Sequence, residues 1–94
     1  MAFIYSPQVK SKLARRHNVT LDEVRECFTN RSSGCLEDNR EDHESDPPTQ
    51  WFIAETDNGR KLKVVFILEE NDITIRTAYE PNAIEQQIYD THSK

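Results

Sequence analysis

The side chains able to do chemistry in this chain of 94 residues are few and spread along its length. Lys10, Lys12, Arg15 and Arg16 form a basic run that ends at His17. An imidazole in that place reads first as a helix C-terminal residue favoured by the backbone dipole, and second as a proton carrier. Lys61, Lys63 and Arg76 are spaced so that strand alternation puts all three on one sheet face, beside Phe52, Val65 and Ile67. A purely solvated face has no need of those apolar neighbours, so the mixture suits a phosphate-bearing partner or a protein with acidic side chains. Tyr79 and Tyr89 read as packing residues with satisfied hydroxyls.

Other candidates are weaker. Asp42, His43, Glu44 and Asp46 supply metal-ligand types, but with the spacing of neither an EF-hand loop nor an H-E-x-x-H helix. A solvated charge run is the better reading, and no metal or other cofactor is expected. Cys27 and Cys35 are too few for a disulfide framework, and their C-x7-C spacing fits no zinc module. They read as a buried thiol and a loop thiol. With two glycines the chain has no P-loop, Rossmann turn or G-x-S-x-G elbow.

Charge and hydropathy bound what these residues can be used for. Apolar residues make up 35% of the chain and charged residues 31%, against ~45–50% apolar in ordinary globular domains. A core is possible only if some stretch stays out of it. The longest apolar strip, Val64 to Leu68, is far short of a membrane span. The start, Phe3-Ile4-Tyr5 followed by Ser6-Pro7 and charge, does not read as a secretory signal, so a cytoplasmic protein with no membrane contact is expected. The net charge of −5 resides in residues 35–46, which hold six acids and one base, while residues 1–34 are basic. A polyanion senses charge within a Debye length of ~8–10 Å, so the overall acidity does not exclude a basic surface.

The elements that must hold these residues are legible from caps, turns and periodicity. Ala2 to Tyr5 reads as an edge strand, and Ser6-Pro7 as an N-cap with proline at the first helical position. Val9 and Leu13 give that helix a thin apolar stripe that ends near His17-Asn18. Thr20 to Glu23 form a capping box, with Val19 and Val24 as its staple, and Leu21, Val24, Cys27 and Phe28 make one apolar helix face. Residues from about 30 to 49 show no periodicity and read as an acidic, mobile loop. Asn58-Gly59 predicts a two-residue type I′ hairpin pairing Trp51 with Phe66 and Ile53 with Val64. A second turn at Glu70-Asn71 pairs Leu68 with Ile73 and Phe66 with Ile75. Trp51, Ile53, Leu62, Val64, Phe66, Leu68, Ile73, Ile75 and Thr77 then face the helices, with Phe52, Ala54, Lys61, Lys63, Val65, Ile67, Thr74, Arg76 and Ala78 opposite. Asn82 to Glu85 form another capping box, opening a helix with Ile84 and Ile88 that runs to about Tyr89. The order is β-α-α-β-β-β-α. This is an α+β domain over residues 1–94, an antiparallel meander with two short helices on one face and a C-terminal helix.

Taken in order, Tyr5-Ser6-Pro7 with Lys10, Arg16-His17-Asn18-Val19, Leu21 to Phe28, an acidic histidine-containing loop, Trp51 to Ala54, Gly59 to Val65 and a last strand Ile73 to Tyr79 make a recognisable succession. It resembles the small BrnT-like toxins of bacterial toxin–antitoxin systems, within the wider RelE-like superfamily. The likeness runs over nearly the whole chain, through motifs that are each short. The ending Thr77-Ala78-Tyr79-Glu80-Pro81-Asn82 departs from the Ser-Ala-Arg ending usual in BrnT and puts Tyr79 where those toxins carry a base. It looks closer to a branch whose members are sometimes labelled ADP-ribosyl-(dinitrogen reductase) hydrolase. True hydrolases of that kind are much larger, all-helical and built around metal pairs, so that activity is not expected here.

The resemblance implies an endoribonuclease that inhibits translation, acting on RNA or the ribosome and neutralised by a small antitoxin. The acidic loop would suit a basic one. The chemistry needs a base for the 2′-hydroxyl, a cation for the phosphorane and an acid for the leaving 5′-oxygen. His17, Arg76 and Tyr79 are the catalytic candidates, with Lys10, Arg16, Lys61 and Lys63 for nucleic-acid or partner binding. Alternation places Tyr79 on the core side, which counts against it unless the strand has ended there. The competing class is a binding domain that keeps the RelE-like scaffold without its activity, favoured by the missing base and the neutral balance outside the acidic run.

Overall fold

The computed structural model describes residues 2–38 and 47–93. Its elements are β1 (Ala2–Ile4), α1 (Pro7–Lys12) running on into a π-helical turn (Leu13–His17), α2 (Leu21–Asn30), β2 (Leu36–Glu37), β3 (Thr49–Glu55), β4 (Lys61–Glu69), β5 (Asp72–Tyr79) and α3 (Ala83–His92). The class is α+β, as expected. The sheet order is β1-β5-β4-β3-β2. β1 runs parallel to β5, so the sheet is mixed and not a pure meander. Within the expected loop, Leu36 and Glu37 instead form a short edge strand opposite Trp51 and Gln50. Expectations about the rest of the acidic run, including its mobility and His43, lie outside the described residues.

The helix starts form as their local chemistry dictates. The Ser6 hydroxyl accepts from the Val9 N–H at 3.1 Å, with Pro7 at the first helical position. Thr20 and Glu23 satisfy each other's backbone N–H groups at 3.0 Å. Asn82 and Glu85 do the same at the start of α3. The basic helix ends as expected at His17, where Asn18 takes a left-handed conformation (φ 53°) and its N–H reaches back to Leu13.

The first hairpin differs from the expectation by one residue. Asn58 does not take positive φ; only Gly59 does, at 82°. The Gly59 N–H donates to the Thr56 carbonyl, and the Thr56 N–H to the Arg60 carbonyl, both at 2.9 Å. This is a type I turn followed by a left-handed glycine, a three-residue loop where a type I′ turn would have two. Glu55 therefore pairs with Lys61, Phe52 with Val64, and Trp51 with Val65. A slip of one residue turns every side chain of a strand over. Phe52 and Ala54 face the helices, while Trp51 and Ile53 lie on the opposite face with Lys63.

The second hairpin has the expected turn and pairs Leu68 with Ile73 and Phe66 with Ile75. Beyond it a bulge intervenes, because Val65 pairs with Thr77 and leaves Arg76 as the extra residue. The phase of β5 changes there. Ala78 is buried under the helices with Ile73 and Ile75, and Tyr79 sits opposite Lys63 on the other face. The expectation that Tyr79 is on the core side and Thr77 under the helices is thereby corrected.

The main core lies between the sheet and α1, the π turn and α2. Leu13, Val24, Cys27, Phe52, Leu62, Val64 and Ala78 have no exposed surface. Phe28 stacks edge-on against Phe3, Phe52 and Phe66, with centroids 4.8 to 5.2 Å apart. On the second face α3 lies across β3, where Tyr89 packs 5.8 Å from Trp51 and donates its hydroxyl to the Gly34 carbonyl at 2.7 Å. Ile84 and Ile88 of α3 are 68% and 43% exposed. Among the described residues no helix is long and apolar enough to cross a membrane.

Phe52→Ala should cost about 3–5 kcal/mol in chemical denaturation, as expected for a fully buried aromatic in the helix-facing core. A loss below about 1 kcal/mol would put Phe52 back on the open face and restore the two-residue turn.

Candidate functional site

The face under α3 gathers a cation, a phenol, a carboxylate and an indole within bonding distance. The register of β4 and β5 sets Lys63 opposite Tyr79, and that of β3 brings Trp51 beside it. The Lys63 ammonium lies 4.4 Å from the Trp51 ring centre and 5.7 Å from that of Tyr79. Desolvated contacts of this kind carry ~2 kcal/mol or more, against ~0.5–1 kcal/mol when exposed, and the Lys63 side chain is 12% exposed.

Glu85 joins these groups. It is the third residue of α3, and its Oε1 accepts the Asn82 N–H that the capping box requires. Its Oε2 is then free to reach the sheet, where it accepts from both Lys63 Nζ and the Tyr79 hydroxyl at 2.7 Å. Burial pushes this carboxyl up, but the bonds from Lys63, Tyr79 and Asn82 outweigh burial and hold it below the usual glutamate range. Such charge-assisted bonds are about twice as strong as neutral ones. Helix α3 is thus tied to the sheet through one carboxylate, and the sequence pointed to that residue only as a cap.

His17 comes to the far side of Tyr79, with ring centroids 5.5 Å apart. Its Nε2 is buried without a hydrogen-bond partner among the described residues. Burial, reinforced by Lys12 and Arg16, holds this imidazole below its usual range, so it is neutral at pH 7. Arg60 fixes the corner behind it. Its guanidinium donates to the carbonyls of His17 at 3.1 Å and Asn18 at 2.7 Å, to Glu23, and to Glu80 at 2.8 Å. Burial opposes the charge on Glu23, but its bonds to Thr20 and Arg60 prevail and lower that carboxyl. Sequence reading met Arg60 only as part of the Gly59-to-Val65 motif. Its role depends on four backbone and side-chain partners from three segments, which no local pattern shows.

The remaining candidates do not join this cluster. Arg76 is exposed on the bulge, three residues before the partner of Lys63, so the two bases are not paired across β4 and β5. Lys61 shares the face of Lys63 and meets Gln86 of α3 at 3.4 Å. Lys10 and Arg16 are exposed on the helix layer. Cys27 is buried, and its thiol, pushed up to about 12 by burial and then by Glu23 and Glu26, donates to the Ala54 carbonyl. Cys35 is half-buried and held up by burial beside Arg31. Both are free thiols, as expected. No group of residues able to hold a metal occurs among the described residues.

Protonation of His17 should cost stability with a definite sign. An unfolded imidazole titrates near ~6.5 and takes its proton first as pH falls. Folding stability should therefore fall from about pH 6.5 down to the ring's own lower midpoint and then level off. Nuclear magnetic resonance titration of the His17 ring, with urea midpoints at pH 7 and pH 5, checks this. A ring titrating at or above ~6.5 would contradict the geometry.

No protein-family model matches this chain, and no curated protein matches it significantly.

Proposed function

We propose that this chain is a non-catalytic binding domain on a RelE-like scaffold, with a protein partner at the sheet face beside α3. The observation that carries this reading is the pair of hydrogen bonds accepted by Glu85 Oε2, at 2.7 Å from both Lys63 and Tyr79. Cleavage of RNA needs a cation free to meet the phosphorane and an acid free to reach the leaving oxygen. Here both groups already serve to dock a helix, through a single carboxylate that takes up both of them. The nearby groove is lined by Glu37, Asp38 and Glu85 as well as Lys63. Phosphate contacts dominate affinity for nucleic acid, and such a lining opposes them.

A second reading, the RNA-cleaving toxin with its antitoxin, is favoured by one observation. A neutral imidazole with an unpartnered Nε2 lies against Tyr79, so a base stands beside a potential acid. For that pair to act, Glu85 would have to release Tyr79 and Lys63.

Induced expression in a bacterial host separates the two. A binding domain leaves bulk RNA intact, and Tyr79→Phe or His17→Ala changes nothing in RNA integrity. Degraded RNA that becomes intact again with either substitution would overturn the proposal and establish the nuclease.

A further inference from the structure

We infer that the groove between β2 and α3 receives an extended segment of a partner protein in which basic and apolar residues alternate. This rests on the binding reading above and names the partner's chemistry. The groove holds about 740 Å3. Leu36, Trp51 and Ile88 form its apolar wall, and Glu37 and Asp38 also line it. Among the described residues β2 is the edge of the sheet on this side. The Asp38 N–H donates to the Thr49 carbonyl at 2.8 Å, so antiparallel alternation turns the backbone groups of Glu37 outward, where an added strand can pair with them.

The side-chain pattern of such a strand follows from the pleat. Leu36 pairs with Trp51 and shares its face, whereas Glu37 pairs with Gln50 on the opposite face. Residues of the incoming segment that point toward α3 meet Leu36, Trp51 and the 43% exposed Ile88. The alternate residues meet the exposed Glu37 carboxylate. Apolar side chains are favoured at the first set and Lys or Arg at the second. Charge selects among occupants. A nucleic acid is repelled by the same acids, and a second copy of a chain with net charge −5 brings more of them.

Trp51 is the sole tryptophan of the chain and lies in the groove wall, so its emission reports occupancy directly. The full chain is titrated with a short synthetic peptide alternating Lys and Val, and with one alternating Glu and Val. The expected result is a saturable shift in Trp51 emission with the Lys–Val peptide alone, weaker at high salt. Glu37→Lys and Ile88→Glu, both at exposed positions, should each weaken it at least about tenfold. Asp22→Lys, on the opposite face of the sheet, should leave it unchanged. No shift, an equal response to the Glu–Val peptide, or unchanged binding in both groove variants would overturn the inference. Concentration-dependent dimerisation that shifts Trp51 emission without peptide would also overturn it, assigning the groove to a second copy. A silent groove with intact cellular RNA removes this inference alone, whereas degraded RNA removes the binding reading whatever the peptide does.

Discussion

A single glycine in the left-handed region sets the phase of the strand on which the rest of the site depends. Gly59, at φ 82°, completes a three-residue loop after a type I turn. No β-carbon is crowded there, since nothing lies within 4 Å of where one would stand. The demand is on the backbone, not on space. With the loop one residue longer than a type I′ turn, Phe52 enters the aromatic cluster around Phe28 and Trp51 turns to Lys63. With the other register Trp51 would lie under the helices and Lys63 would lose the ring beside it.

Two charged hubs then hold the layers around the sheet. Arg60, at the far end of the same loop, gathers the carbonyls that the left-handed end of the π turn leaves without intrahelical partners, together with Glu23 at the start of α2. The turn that fixes the register thus also fixes the corner that presents His17. Glu85 does the corresponding work on the second face, since one oxygen starts α3 and the other holds it to Lys63 and Tyr79. Neither hub is fully buried, and each is satisfied on several sides. Arrangements of this kind fix geometry more than they add stability.

What could be read beforehand divides along the range of the interactions. The three helix starts are local, each a side chain bonded to a backbone group three residues away, and Ser6, Thr20 and Asn82 announced them. The Glu70-Asn71 turn was legible for the same reason. Asn58-Gly59 misled because asparagine favours positive φ, while the chain puts only the glycine there. The bulge at Arg76 has no signature in alternation, and it moved Tyr79 from the expected core side to the side of Lys63. Ile84 and Ile88 follow a helical spacing, but α3 is held by Glu85 and Tyr89, which leaves Ile84 exposed and Ile88 half-exposed at the groove. His17, Tyr79 and Lys63 were named from the sequence and do come together. Their link through Glu85 joins β4, β5 and α3, and such contacts appear only in three dimensions.

The claim at the centre is that one carboxylate oxygen holds both Lys63 and Tyr79. Following the Glu85 side-chain carboxyl carbon by nuclear magnetic resonance during acid titration, in the natural chain and in Tyr79→Phe, tests it most directly. The midpoint should lie below the ordinary glutamate value of ~4.3 and rise toward it when the phenol hydroxyl is removed. An ordinary midpoint that ignores the substitution would contradict the shared bond.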